Sequence, residues 1–289
     1  MVYLKYKSPE TTRDAVALLS EESGLAKVFA GGTDLLVQMH EGNLEPALLV
    51  DIKKIPETRQ ILFDDKFVRI GAAVTGAEIN ENKQLVEMWP GVAEAVELIG
   101  SYQIQGRATI GGNLCNASPA ADSVPALMAA GARLAIAGTG GIKEVKIEEL
   151  YTGPGKVILE RDEFVTAVVL PIPRGRTGDA YLRFIPRTEM DIAVVGVGIS
   201  VTLEKGLIKK ARVALGAVAP TPLLVARAAR EIIGTKLDDV ALDKLSKACS
   251  DACSPIDDKR GTIEYRTRVA GVLARRTALI AFERAGGKR

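Results

Sequence analysis

Apolar positions first recur at helical spacing near the amino end of the chain. Ser8 can cap that helix, Pro9 suits its first turn and Glu10 favours the positive end of its dipole. Ala15, Leu18 and Leu19 then share one face, and Gly24 closes the segment. A compact apolar run, Lys27-Val28-Phe29-Ala30, reads as a buried strand that ends in Gly31-Gly32-Thr33-Asp34. Leu35-Leu36-Val37 begins a short helix or turn, and Ala47 to Ile52 reads as a second strand. This β–loop–α–β order predicts a small α/β unit.

The stretch 53–65 is polar and carries Pro56, which marks a linker to a second subdomain. Phe67 to Gly71 reads as a strand, Pro90 to Ile99 as an amphipathic helix, and 109–122 as a loop rich in glycine, asparagine and proline. Val124 to Ala130 then predicts a helix, with strands over Arg133 to Ala137 and Glu163 to Leu170. Pro171 to Gly178 is the clearest boundary in the chain. Beyond it, Ala193 to Leu203 and Ile208 to Val218 alternate as strands, joined at Glu204-Lys205-Gly206 as a hairpin. Pro220-Thr221-Pro222 stops the sheet, and three helices follow: Leu223 to Ile233, Leu242 to Ala252 and Tyr265 to Ala285.

Composition narrows what such a chain does. At 289 residues it has room for two or three subdomains, and 47% hydrophobic with 26% charged residues is the profile of a soluble globular protein. A net charge of +2 and an aromatic content of 4% leave little basis for nucleic-acid binding. Neither a signal peptide nor an apolar run of membrane-spanning length is visible, so the chain reads as cytoplasmic. Three cysteines, Cys115, Cys249 and Cys253, cannot build a disulfide framework and fall short of an iron–sulfur ligand set. The one-turn spacing of Cys249 and Cys253 reads as half-buried thiols on a helix face, so the chain shows no metal of its own.

The candidate chemistry lies in two glycine pairs, Ala30-Gly31-Gly32-Thr33-Asp34 and Thr109-Ile110-Gly111-Gly112-Asn113. Paired glycines let backbone N–H groups converge on an anion with no Cβ in the way. Two such loops from different subdomains could clasp a pyrophosphate from both sides. Neither matches the Rossmann or Walker pattern, so a usual nicotinamide site and a P-loop ATPase are poorly supported.

The second loop in full, Thr109-Ile110-Gly111-Gly112-Asn113-Leu114-Cys115-Asn116-Ala117-Ser118-Pro119-Ala120-Ala121-Asp122, resembles the flavin loop of the FAD-binding medium subunits of molybdenum hydroxylases. That family includes xanthine dehydrogenase and aerobic carbon monoxide dehydrogenase. Ala30 to Leu36 resembles the family's first flavin loop, and Arg187-Thr188-Glu189-Met190-Asp191-Ile192-Ala193 a third segment near the flavin ring. The resemblance implies an α+β chain with the FAD-binding fold of the p-cresol methylhydroxylase/vanillyl-alcohol oxidase type. Its units would be two α/β subdomains, 1–55 and 56–173, and a C-terminal domain of a small antiparallel sheet and helices, 178–289.

By the same resemblance, Phe29, Ala30, Gly31, Gly32, Thr33, Asp34 and Leu35 form the first cofactor loop, with the amides of 31–34 and the Thr33 hydroxyl on the pyrophosphate. Thr109, Gly111, Gly112 and Asn113 approach from the second subdomain, Ser118 and Asp122 lie along the ribityl–ribose region, and Arg187 and Ile192 sit near the isoalloxazine. Implied partners are a large subunit holding the molybdenum cofactor and a small subunit with 2Fe–2S clusters, assembled as a dimer of heterotrimers. The middle region lacks the cysteines of the benzoyl-CoA reductase branch. Tyr102 is open between stacking on the cofactor and packing in the core. Asp34 and Asp122 could also simply cap helices. Two rival readings are a stand-alone flavin reductase or oxidase of the same superfamily and a cofactor-free assembly protein.

Overall fold

In the computed structural model, which describes residues 4–22, 25–187 and 190–288, the first unit is a wholly parallel three-stranded sheet. Its elements run β1 (Lys5–Lys7), α1 (Thr12–Glu21), β2 (Ala26–Phe29), α2 (Leu35–His40) and β3 (Leu48–Asp51), with β3 central and paired in parallel to both neighbours. Every residue of β3 is buried, as befits the middle strand of a covered parallel sheet. The first helix starts later than its sequence predicts. Thr11, not Ser8, caps it by accepting from Asp14 N–H at 3.1 Å, because Thr11 has an acidic residue three places on and Ser8 does not. Gly24 lies outside the described residues.

The second unit begins inside the predicted linker, where 61–63 already forms β4 (Ile61–Phe63), followed by β5 (Phe67–Gly71). Helices α3 (Gly76–Glu81), α4 (Lys83–Met88), α5 (Pro90–Glu97), α6 (Tyr102–Gln105), α7 (Ile110–Cys115) and α8 (Ser123–Ala130) come next. Then follow β6 (Arg133–Gly138), β7 (Gly141–Lys146), the small pair β8 (Tyr151–Gly153) and β9 (Lys156–Val157), and β10 (Phe164–Pro171). The main sheet is antiparallel in the order β4-β5-β10-β6-β7. Trp89 is buried at the entry to α5, its indole N–H donating to the Pro171 carbonyl at 3.0 Å. One apolar core runs through both units, drawing Val50 and Leu48 from the first and Ile70, Leu127 and Leu134 from the second.

The third unit is a four-stranded antiparallel sheet, β11 (Arg176–Phe184), β12 (Val195–Glu204), β13 (Leu207–Gly216) and β14 (Leu223–Leu224). It is backed by α9 (Ala226–Ile232), α10 (Asp239–Asp251) and α11 (Ile263–Arg284) around a core of its own. β11 takes up part of the predicted boundary, where Gly178 and Asp179 have the character of turn residues. Gly178 instead lies against the α11 backbone where no Cβ fits. Leu223 and Leu224 follow Pro222 and pair with β13 before the helix begins, so the predicted helix start moves to Ala226. Arg212 turns inward to the Met128 carbonyl at 2.8 Å on a strand that has neighbours on both sides.

Lys205 and Gly206 turn the β12–β13 hairpin with φ of 52° and 80°, both left-handed, the backbone of a type I′ turn. A lysine is strained there. Lys205→Asn is expected to stabilise the protein by about 0.5–1 kcal/mol, read as a higher urea midpoint with an unchanged slope.

Candidate functional site

A cleft of about 660 Å³ opens between the first two units. One wall is the end of β2 with the loop into α2, the second is the start of α7, and the third is the stretch from Gly155 to Val165. The two glycine pairs, 80 residues apart in sequence, thus face one space. Ala30, Gly31, Gly32, Thr33, Asp34, Leu35, Thr109, Gly111, Gly112 and Asn113 all line it.

The first loop presents bare backbone. Among the described residues, no carbonyl or side chain accepts from the N–H groups of Gly31, Gly32, Thr33 or Asp34. Four successive free donors at a cleft wall need an acceptor from outside the chain or water. Gly32 has φ of 78°, and a Cβ there would stand 2.6 Å from the Phe29 ring. A Cβ on Gly31 would fall on the carbonyl oxygen of Arg107 in the second unit. Both glycines are therefore demanded by the close approach of other atoms. Phe29 is buried beneath the loop, edge-on to Tyr6, and does not line the cleft.

The second glycine pair works differently from its sequence-based reading. It is the first turn of a helix rather than a loop, capped by Thr109, whose Oγ1 accepts from Gly112 N–H at 3.1 Å. Gly111 N–H donates to the Ala72 carbonyl at 2.9 Å and Asn113 N–H to the Thr109 carbonyl at 3.0 Å, so these amides are already spent. What this wall offers is a surface without side chains at exposed Gly112 and the amide group of Asn113. Asn113 Oδ1 accepts from Ser123 Oγ at 2.6 Å, which leaves the Nδ2 protons as donors. Gly111 overrides its poor helix propensity because a Cβ would stand 2.6 Å from Ala72.

The remaining predicted residues lie elsewhere. Asp122 is buried at the seam with the third unit, where Arg183 holds one oxygen at 2.8 Å and the Tyr181 hydroxyl the other at 2.9 Å. It does not cap α8 through its side chain. Burial pushes its pKa up to about 6 against the opposing pull of Arg183 and Tyr181. Ser118 is half-buried outside the cleft lining, its Oγ accepting from Ala120 N–H at 3.3 Å. Tyr102 is 85% exposed, so it neither packs in the core nor lines the cleft. Arg187 is exposed and paired with Asp191 at 3.2 Å, and Ile192 is half exposed; both lie outside the cleft lining, and Thr188 and Glu189 of their motif lie outside the described residues. Neither His40 nor Cys253 lines the cleft, whereas the Cys115 thiol does, with burial raising its pKa to about 12.

Two contributions escaped the sequence reading. Gln38 of α2 donates to Asn116 Oδ1 at 3.1 Å, a direct link between the segments that follow the two glycine pairs. Gly155, Val157 and Leu159 add an apolar strip to the third wall. Their only sequence signal is the Gly153-Pro154-Gly155 turn.

A family profile described as an FAD binding domain in molybdopterin dehydrogenase matches residues 3–173, and one described as the CO dehydrogenase flavoprotein C-terminal domain matches 180–281. The chain belongs to this family of FAD-binding subunits of molybdopterin dehydrogenases and is an oxidoreductase subunit. It is 33% identical over 288 residues to a xanthine dehydrogenase FAD-binding subunit of Escherichia coli O157:H7, covering 99% of this chain and 98% of the relative. It is 34% identical over 281 residues to the carbon monoxide dehydrogenase medium chain of Afipia carboxidovorans, covering 97% of each. Among solved structures, reconstituted CO dehydrogenase from Oligotropha carboxidovorans superposes with a TM-score of 0.94 at 33% identity, over 98% of both chains. The α+β FAD-binding fold that the family resemblance implied is therefore the observed one.

Proposed function

We propose that the chain is the electron-transfer flavoprotein of a cytoplasmic molybdenum hydroxylase. In this reading it receives electrons from the 2Fe–2S clusters of a small partner subunit and delivers them to a terminal acceptor. A large partner subunit holds the molybdenum cofactor and oxidises the substrate, and the whole is a dimer of heterotrimers divided, within this chain, at about 55 and 173–178. The observation that carries the reading is the cleft itself, where four free amides on one wall face a side-chain-free helix turn on the other.

That cleft fits a dinucleotide. The amides of Gly31 to Asp34 and the Thr33 hydroxyl would hold the pyrophosphate, and Asn113 Nδ2 would donate from the opposite wall. Val157 and Leu159 supply apolar surface for a flat ring. FAD, when bound, supplies the redox chemistry, accepting electrons singly and releasing a pair. The chain's own residues bind it, orient it and keep water from its buried face. Ser118, Asp122, Arg187 and Ile192 reach that cofactor only by its extension beyond the cleft lining, Asp122 with both oxygens already engaged.

The test is an absorbance spectrum of the purified full chain followed by FAD titration. A flavin band or saturable uptake with a dissociation constant of about 1 μM or tighter is expected, worth roughly 8 kcal/mol. No uptake at any workable FAD concentration, with the chain folded and its partner subunits co-expressed, would sink the proposal.

A further inference from the structure

Lys53 lies just beyond β3, in the stretch that reads from the sequence as a linker, and it does not line the cleft. Its ammonium turns back beneath the first glycine loop. Nζ donates to the Ala30 carbonyl at 2.8 Å and to Asp51 Oδ1 at 2.7 Å, and it stands 4.2 Å from the centre of the Phe29 ring. Asp51 is buried, and its other oxygen accepts from the Tyr6 hydroxyl. These bonds, with the Lys53 N–H at 3.0 Å, hold the Asp51 carboxyl below its ordinary pKa in spite of burial. A cation fixed by a carboxylate, a carbonyl and a ring face has little freedom left.

The consequence for the loop is geometric. In a trans peptide the C=O of one residue and the N–H of the next point to opposite sides. Holding the Ala30 oxygen toward Lys53 therefore turns the Gly31 N–H away from Lys53, which stands behind the cleft wall. The Gly31 Cα itself packs on the Arg107 carbonyl of the second unit, where no Cβ fits. The Ala30–Gly31 step is thus held at two points, the Ala30 oxygen by Lys53 and the Gly31 Cα against Arg107, at the head of the row of amides without a protein partner among the described residues.

We propose that Lys53 is a positioning residue of this loop: by holding the Ala30 carbonyl it sets the amides of Gly31 to Asp34 that receive the pyrophosphate of the dinucleotide. The assignment rests on the FAD reading of the cleft. Lys53 acts through the backbone and does not itself touch the ligand.

FAD is titrated into the full chain carrying Lys53→Met, Lys53→Arg or Lys54→Met, with affinity followed by flavin fluorescence. Amide resonances of 31–34 are recorded before FAD is added. Lys53→Met is expected to weaken binding by about tenfold or more, as the loss of one charged hydrogen bond implies, and to shift those resonances. Lys53→Arg, which keeps a charged donor, recovers part of the affinity. Lys54→Met removes the same charge at an exposed neighbour and is expected to change neither quantity. Equal weakening by Lys54→Met would reduce the effect to net charge and overturn the assignment, as would unmoved 31–34 resonances in Lys53→Met. If Lys53→Met does not fold, Lys53→Gln, one atom shorter, takes its place under the same criteria. Unchanged affinity in the Lys53 variant overturns the positioning role and leaves the FAD reading standing. Failure of the wild-type chain to take up FAD overturns both.

Discussion

Gly112→Asp is expected to lower FAD affinity by about a hundredfold while leaving the fold intact. Position 112 is exposed on the cleft, and a new Cβ there meets only the Thr109 hydroxyl, at 2.9 Å. It is also the third residue of α7, where an aspartate favours the positive end of the helix and has better propensity than glycine. The Thr109 hydroxyl must shift to admit the Cβ, a local cost that the gains in propensity and dipole offset. On the proposed binding mode the cofactor does not tolerate the change, because two like charges separated by about 6 Å at an effective dielectric near 20 cost about 2.8 kcal/mol, or two orders of magnitude. Fluorescence titration gives the affinity and a thermal melt of the apo chain gives the stability. A fall in both together would mean that the helix, not the ligand, was disturbed. Gly112→Ala separates charge from bulk and should cost far less.

The largest effect on stability is expected at Arg183, where Arg183→Met should cost about 3–4 kcal/mol at pH 8. Arg183 is almost wholly buried against Asp122 and also donates to the Leu98 carbonyl at 2.8 Å, so its removal strands a buried carboxylate between α8 and β11. The pH dependence has a definite sign. Asp122 titrates in the folded protein at about 6, above its ordinary 3.8. A carboxyl raised in this way gives stability that is complete below the unfolded pKa and is lost as pH rises through about 6. Losing the arginine makes the charged form worse still, so the penalty grows with pH and shrinks toward pH 5, where Asp122 is neutral. Urea unfolding of wild type and variant at pH 5 and pH 8 measures the difference. An equal penalty at both values would assign the loss to packing and the Leu98 bond instead. Asp179, buried against the start of α5 and pushed up to about 7, gives the wild type a trend of the same sign.

What the sequence made legible divides by range. Local signals were sufficient for the β2 strand that delivers Gly31 and Gly32, for the β12–β13 hairpin at Lys205-Gly206, and for the long carboxyl-terminal helix. Glycine demand was legible as well, since Gly31, Gly32 and Gly111 sit where other atoms leave no room for a side chain. The reason for that demand was not. Gly111 answers to Ala72, and Gly31 to Arg107, partners that only the folded chain brings near. The same limit explains Asp122, which in the fold accepts from Tyr181 and Arg183, about 60 residues on. It explains Lys53 too. Polar composition and a nearby proline read as a linker, yet the side chain folds under the loop. The strip at 155–165 mixes apolar Val157 and Leu159 with charged Glu160, Arg161 and Glu163 in no motif, and it joins the cleft only because β9 and β10 run past it.

The unpaired amides of Gly31 to Asp34 make the order of that loop conditional. Within the strands and helix bodies of the first unit the backbone hydrogens are bonded, as in β3 paired to both neighbours, and exchange with water only when the structure opens. In this loop each hydrogen is in solvent's hands until an acceptor arrives, so its exchange clock runs on ligand occupancy and not on unfolding. The protection of this loop would thereby record how long a cofactor stays, independent of any electron it carries.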